Sequence, residues 1–482
     1  MAKKAYEGGQ LKLLSQSDVE RIHDIALRIL EEVGIKAPLP EAVEIYKKGG
    51  AKVASDNQTV RLSLRMIERA LNDTPSRVLL CGREESNDLI LEKKNVYAGT
   101  GGAELNVLDL DTRELRKSTI KDVADLARLV DALDNIDFYI RPVVAQDIPI
   151  EKIDVNKYYA SLANTTKHVM GNVYYADKVK DVIEMAAIIL GREKDLVERP
   201  IISFITSWMV SPLTLNQEVT QILIEIVKHR MPVALSSVAI MGLTSPVTMA
   251  GNLALTHAEQ LSGIVLTQLV NCGSPVIYGG CPGVADMRDA SFCPGSIERQ
   301  ILNAAISQMA QYIRVPNYNI GGITDSKLPD VQAGYEKAFG ICLTALAGSN
   351  YIHHAAGRIK DGVAYEQYVI DNEIIGMAKR VLKAIVVNED TLAFQLIKEV
   401  GAGGNYIDRP HTAEFFRGEL FFPAISDRND RTSWEKLGSL DGRERARSEA
   451  KRILTDHEPL RIPKALDAKI RRKFEILYEG SY

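Results

Sequence analysis

Residues 275–322 read PVIYGGCPGVADMRDASFCPGSIERQILNAAISQMAQYIRVPNYNIGG, and the fold turns on how this stretch is parsed. A short β-prone run begins behind Pro275 and stops at two glycines, as a strand that starts on proline does. After a polar loop, SIERQILNAAISQMAQYI carries apolar residues at the helical period, and a second run follows from Pro316. Strand, helix and strand in that order make a parallel βαβ unit. Outward in both directions the unit recurs. VYAG (96–99), FYIRP (138–142), HVMGN (168–172), PIISFITS (200–207) and PVALSS (232–237) precede it, and YIHHAAG (351–357) follows. Segments such as VKDVIEMAAIIL and EVTQILIEIVKH fill the gaps with the same helical period. Eight such units predict an α/β fold of the (β/α)8 TIM-barrel type over residues 95–385.

Outside that span the pattern changes. LLSQSDVERIHDIALRILEEVG (13–34) predicts an amphipathic helix with Ser17 as N-cap and Gly34 as its stop. A second helix follows Ser63, so residues 1–94 are expected to form a helical N-terminal layer. Beyond residue 363 the strands cease, and residues 386–482 read as a helical C-terminal extension packed on the barrel. Its basic residues, as in RERARSEAKRIL, are expected on a solvated helix face.

Composition removes several functions. The 482 residues hold 59 Lys+Arg and 63 Asp+Glu, a formal charge of −4, which provides no basic footprint for nucleic acid. Five scattered cysteines, Cys81, Cys272, Cys281, Cys293 and Cys342, make no C-x-x-C pair and point to a reducing compartment. The start lacks an apolar signal core, and no uninterrupted apolar run reaches the length of a membrane span. A cytoplasmic protein with no membrane partner is expected.

In a barrel, chemistry sits at the C-terminal strand ends. Those ends offer Tyr97, Glu104, Tyr139, Phe204, Trp208, Tyr278, Tyr318, Asn319, His353, His354 and Arg358. Aromatics are only 6% of the chain, so six rings at strand ends are a notable concentration. Aromatic faces attract cations, above all quaternary ammonium groups. Taken singly, each ring is as well explained by packing within the barrel or against a helix. His353, His354, Cys281, Cys293 and Glu104 could ligate zinc, but no compact ligand spacing is present, and adjacent histidines on a strand face opposite ways. No metal site is expected. Glycines after the seventh and eighth strands leave open a phosphate-binding reading. A Gly-x-Ser-x-Gly elbow is absent, as is a lysine within any of the eight strands before its end.

Several segments resemble the trimethylamine methyltransferase superfamily of corrinoid-dependent enzymes: LSQSDVERIHDIALRILEEVGI (14–35), SPLTLN (211–216), GGCPGVADMRD (279–289), NIGGITDSKLPDVQAGYEKA (319–338) and YIDRPHTAEFFR (406–417). The resemblance implies a (β/α)8 barrel and methyl transfer from an amine to Co(I) of a corrinoid held by a separate protein. No cobalamin-binding Asp-x-His-x-x-Gly occurs here, so the cofactor is expected on a partner and none in this chain. The family's namesake carries pyrrolysine, which this sequence lacks. Pyrrolysine-free members resemble enzymes that demethylate quaternary amines, which implies glycine betaine as substrate and dimethylglycine as product. Proline betaine, carnitine and γ-butyrobetaine are the alternatives. A quaternary ammonium leaves as a neutral amine and needs no general acid, so no catalytic acid or base is assigned. The rings would hold the cation. Arg358 would bind a substrate carboxylate with help from Asn319, His353 or His354, or would instead pair with a loop carboxylate such as Asp361. Rival readings are a zinc-assisted methyltransferase for a neutral donor, a barrel acting on a phosphorylated substrate, and a betaine-binding module. A homo-oligomer is expected.

Overall fold

The computed structural model describes residues 2–191 and 196–480. Eight parallel strands carry the fold: β1 (Asn95–Ala98), β2 (Phe138–Ile140), β3 (His168–Gly171), β4 (Ile202–Thr206), β5 (Val233–Ser237), β6 (Val276–Gly280), β7 (Tyr318–Ile320) and β8 (Tyr351–His353). Seven fall within the runs quoted above, and β1 begins one residue before its run. The helices after them are α1 (Ile120–Ala132), α2 (Ile153–Asn164), α3 (Lys178–Leu190), α4 (Gln217–Lys228), α5 (Met249–Val270), α6 (Ile297–Tyr312), α7 (Val331–Leu346) and α8 (Tyr365–Leu382).

Strands β2 through β6 pair in sequence order as one parallel sheet, with Phe138 opposite His168 and Val233 opposite Val276. Strands β7, β8 and β1 form a second parallel set, in which Tyr351 stands between Tyr318 and Tyr97. Hydrogen bonds cross both gaps between the sets. The Tyr278 amide donates to the Pro316 carbonyl at 2.8 Å, and the Asp137 amide donates to the Ala98 carbonyl at 2.7 Å.

Side-chain alternation separates two cores. Tyr97, Phe138, Met170, Ala234, Ile277, Tyr318 and Tyr351 share an inner cluster. Tyr139, Val169, Phe204, Leu235, Tyr278 and Ile352 join the larger cluster under the helices. At the strand-start end, Phe138 stacks on Tyr351 with ring centroids 3.5 Å apart. An antiparallel hairpin (Arg77–Leu80 with Leu89–Glu92) adds Val78, Leu80, Leu89 and Leu91 to the inner cluster.

The N-terminal layer is not purely helical, which corrects the expectation for residues 1–94. Besides helices Gln16–Arg28, Pro40–Lys48 and Leu64–Asp73 it holds that hairpin and short strands Ile35–Lys36, Lys52–Val53 and Thr59–Arg61. The first helix is capped by Ser15 rather than Ser17, since the Ser15 hydroxyl accepts from the Asp18 amide at 3.2 Å. Toward the C-terminus, helix Gly442–Asp456 packs on α8 and helix Lys464–Lys473 on α3. Among the described residues no helix is long and apolar enough to cross a membrane.

Candidate functional site

The C-terminal ends of β6, β7 and β8 bring together a thiol, a phenol and two imidazoles. Cys281, just past β6, donates from Sγ to the Tyr318 hydroxyl at 3.2 Å, and its sulfur lies 3.8 Å from His353 Nε2. The ring centroids of Tyr318 and His353 are 4.4 Å apart, and those of His353 and His354 are 4.5 Å apart. These rings form a connected, buried aromatic surface. Tyr318 lies against Gly279: a Cβ there would sit 1.7 Å from Tyr318 Cε1 and 2.2 Å from the Leu235 carbonyl oxygen. Gly279→Ala is therefore expected to push Tyr318 aside, lowering stability by about 1–3 kcal/mol. It should also weaken ligand binding, read by melting temperature and calorimetry.

His354 adopts a left-handed backbone with φ of 55°, a conformation that costs a non-glycine residue roughly 1 kcal/mol. Its amide donates to the Thr100 carbonyl at 3.3 Å, which fixes the ring beside the β1 loop. Strain of this kind is retained where the surroundings hold the residue for a purpose. The Nδ1 atoms of both His353 and His354 are buried without a hydrogen-bond partner. Burial, reinforced for His353 by the charges of Arg299 and Arg358, holds both imidazoles well below the usual histidine value. Both rings are neutral at pH 7. Burial also raises the Cys281 thiol and the Tyr318 phenol, so neither ionises there.

Charge around these rings is uneven. Arg358 Nε donates to the Glu104 carboxylate, so two of the residues singled out in the sequence pair with each other. The loop carboxylate beside Arg358 is thus Glu104 rather than Asp361. Burial lifts the Glu104 carboxyl above its ordinary value, with Arg358 opposing the shift. Arg299 differs. It is 2% exposed, and its Nε and Nη1 donate to the carbonyl oxygens of Pro282 and Pro294 at 2.9 and 3.1 Å. Its guanidinium lies 5.4 Å from the Phe292 ring centroid, and among the described residues it makes no ion pair. Burial pulls its pKa down to about 10. A buried cation without a counter-charge costs several kcal/mol unless a ligand supplies one.

Behind the site, a buried ion pair anchors the two loops that flank it. Lys337 on α7 and Asp371 on α8 lie 3.2 Å apart and are fully buried. Lys337 also donates to the Gly322 and Arg358 carbonyls, and Asp371 accepts from the Gly357 amide at 2.7 Å. The β7 and β8 loops are thereby tied to the helix layer.

Six expected site residues lie elsewhere. Tyr97 faces inward but at the strand-start end, where its hydroxyl accepts from the Ile90 amide of the hairpin at 3.3 Å. Tyr139 points into the helix layer and donates to the Val123 carbonyl at 2.7 Å. Phe204 packs beside Tyr158 of α2, with centroids 5.8 Å apart. Tyr278 points outward to His257 of α5, its hydroxyl 2.9 Å from Nδ1. Trp208 packs over Gly263 of α5, where a Cβ would approach its ring to 2.5 Å. Asn319 accepts from Ser307, Asn317 and Ser349 under the helices. Of the six rings, Tyr318 is the one placed beside His353 and His354. Arg299 was not singled out in the sequence. Its signal is a basic residue in the first turn of α6, where the helix dipole disfavours positive charge. Among the described residues no three His, Cys, Asp or Glu side chains cluster as metal ligands.

The family model described as trimethylamine methyltransferase matches residues 4–475. The trimethylamine methyltransferase MttB of Desulfitobacterium hafniense (strain DSM 10664 / DCB-2) is 36% identical over 96% of this chain and 94% of its own length. The glycine betaine methyltransferase of Desulfitobacterium hafniense (strain Y51) is 32% identical over 95% of each chain. The trimethylamine methyltransferase MttB of Methanosarcina barkeri (strain Fusaro / DSM 804) is 34% identical over 94% of this chain and 92% of its own.

Proposed function

The chain belongs to the trimethylamine methyltransferase family and is a methyltransferase, and from that premise we propose that it demethylates a quaternary amine, glycine betaine foremost. The methyl group passes to Co(I) of a corrinoid carried by a separate protein, which acts as second substrate. We read the two parallel strand sets as one closed (β/α)8 barrel, supported by the hydrogen bonds that cross both gaps between them. The chemistry then lies at its mouth.

The observation that carries this reading is the uncharged aromatic surface of Tyr318, His353 and His354 beside the unpaired guanidinium of Arg299. A betaine is a zwitterion whose trimethylammonium fits neutral ring faces and whose carboxylate fits a buried cation. The same neutrality favours a quaternary over a tertiary donor. When the electron pair of Co(I) forms a bond to the methyl carbon, the C–N pair must retire onto nitrogen. From a quaternary ammonium this leaves a neutral tertiary amine, the nitrogen of dimethylglycine. A tertiary amine would first need a proton or another electrophile, and imidazoles held below their usual value are poor acids at pH 7.

The chain's own residues orient the methyl group toward the mouth and exclude water from it. Exposed apolar side chains on the mouth loops, Val238, Leu243, Val247 and Met287, suit the docking of a protein that delivers the corrinoid. No group in this chain is assigned to hold the corrinoid itself.

Incubation with cob(I)alamin or a Co(I) corrinoid protein and a panel of methylated amines tests the proposal. Glycine betaine should yield methylcobalamin and dimethylglycine in equal amounts. Turnover of trimethylamine alone, or of no betaine at all, overturns it. Because the histidines are bases with depressed pKa, they charge only as pH falls well below 6.5. Betaine affinity is therefore expected to stay level from pH 8 to pH 6 and to fall only in more acid solution. A steep loss of affinity between pH 7 and pH 6 by calorimetry would contradict neutral rings.

A further inference from the structure

Glu259 and Gln260 are neighbours on α5 and both are fully buried, although polar side chains of this length are seldom hidden without partners. Glu259 makes no ion pair among the described residues, so hydrogen bonds alone compensate its burial. Its Oε1 accepts from the Leu213 amide at 3.0 Å and its Oε2 from the Ser211 hydroxyl at 2.8 Å, both in the loop after β4. The Ser237 hydroxyl at the end of β5 stabilises the same carboxylate. Gln260 reaches toward β6. Its Nε2 donates to Ser237 Oγ at 3.0 Å, and its Oε1 accepts from the Gly279 amide at 2.9 Å. A backbone N–H can only donate, so the Gln260 amide has one possible orientation. Two side chains of one helix, with Ser237 between them, thus join the ends of three strands in a single relay of hydrogen bonds.

The relay ends against the Tyr318 ring. The backbone of Gly279 lies directly on that ring, since a Cβ there would come within 1.7 Å of Cε1. Two residues on, Cys281 donates its amide to the Ser237 carbonyl at 2.9 Å and its thiol to the Tyr318 hydroxyl at 3.2 Å. Ring and hydroxyl of Tyr318 therefore both rest on residues 279–281, the segment that Gln260 and Ser237 hold. We infer that Glu259 and Gln260 are positioning residues for methyl transfer: through Ser237, Gly279 and Cys281 they set where the Tyr318 ring stands against the substrate cation. The inference rests on the role proposed above for Tyr318, through which both residues act. Burial pushes the Glu259 carboxyl up to about 7, against the pull of its donors. Protonation leaves the relay whole, because serine hydroxyls both donate and accept and can turn toward a carboxylic O–H. The level betaine affinity expected near neutrality is therefore unaffected. Glutamine, which also offers an acceptor and a donor, should replace Glu259.

Two measurements on the full chain test this, one of them without substrate. In protein labelled with fluorotyrosine, the Tyr318 resonance is identified by its loss in Tyr318→Phe. It should move in Glu259→Leu and in Gln260→Leu, and should stand at its original place in Glu259→Gln. Ser237→Ala removes a single hydroxyl and should move the same resonance, which keeps the test decisive if the leucine variants do not fold. Glycine betaine affinity by calorimetry should fall about 10-fold in Glu259→Leu or Ser237→Ala. The same change made in a Tyr318→Ala background should cause no further loss, because residues that act through one ring are not additive. A resonance unmoved in every folded variant overturns the inference, as do losses of affinity that persist undiminished without Tyr318. An unaltered chain that binds no betaine, while the resonance still moves, overturns the substrate reading and leaves the relay standing.

Discussion

Arg299→Gln is expected to lower kcat/KM for glycine betaine by about 100-fold, the equivalent of roughly 2.7 kcal/mol, while the fold stays intact. Among the described residues the buried guanidinium meets two backbone carbonyls and the Phe292 ring, and under the proposed reaction its charge is then available to the substrate carboxylate. Most of the loss should fall on KM, because a carboxylate remote from the departing methyl is held equally in ground and transition states. Choline, which has the same trimethylammonium but no carboxylate, provides the internal control. The variant should handle choline no worse than the unaltered enzyme does. Preference for betaine over choline should shrink toward unity. An undiminished preference would move the anion contact away from Arg299. The parallel variant Arg358→Gln should disturb betaine selectivity less, because that side chain is already engaged by Glu104.

Asp371→Ala is expected to cost about 3–5 kcal/mol and to lower the melting temperature by several degrees. The carboxylate is the counter-ion of fully buried Lys337 and also accepts from Gly357 and Gln367. Its removal leaves an ammonium in a dry environment with carbonyl oxygens alone. Burial already pulls the Lys337 amine below its ordinary range, and loss of the Asp371 charge should lower it further. The double change Lys337→Met, Asp371→Leu should regain most of the stability, since replacing both partners removes the charge along with its partner. Failure of the double variant to recover would mean that the hydrogen bonds to Gly357 and Gly322, rather than charge balance, hold the two loops.

The strand–helix period was legible because proline and glycine punctuate it. All eight runs became strands, and the intervening 3.6-period segments became α1 to α8. The small strands of the N-terminal layer were not legible, since two- and three-residue strands such as Ile35–Lys36 carry too little alternation to register. The candidate site fared unevenly for a reason that Tyr278 and Tyr318 illustrate. Both are tyrosines near strand ends, but the strand's two-residue period sends one under α5 and the other inward. Position along a strand was readable; which face a residue takes depends on register, and register is set by pairing between distant segments. Phe204 and Tyr139 failed on the same count. His353 and His354 show another limit. Adjacent residues on a regular strand face opposite ways, yet the left-handed backbone at His354 turns its ring back toward His353. Arg299 was invisible to strand-end reasoning because it sits on a helix.

The hairpin Arg77–Glu92 fills the strand-start end with Val78, Leu80, Leu89 and Leu91. Under the proposed reaction this leaves donor and acceptor a single shared doorway. A betaine must enter before the corrinoid protein seats itself, and dimethylglycine can leave only after that protein departs. Turnover then follows a compulsory order, in which excess acceptor traps product and inhibits the enzyme.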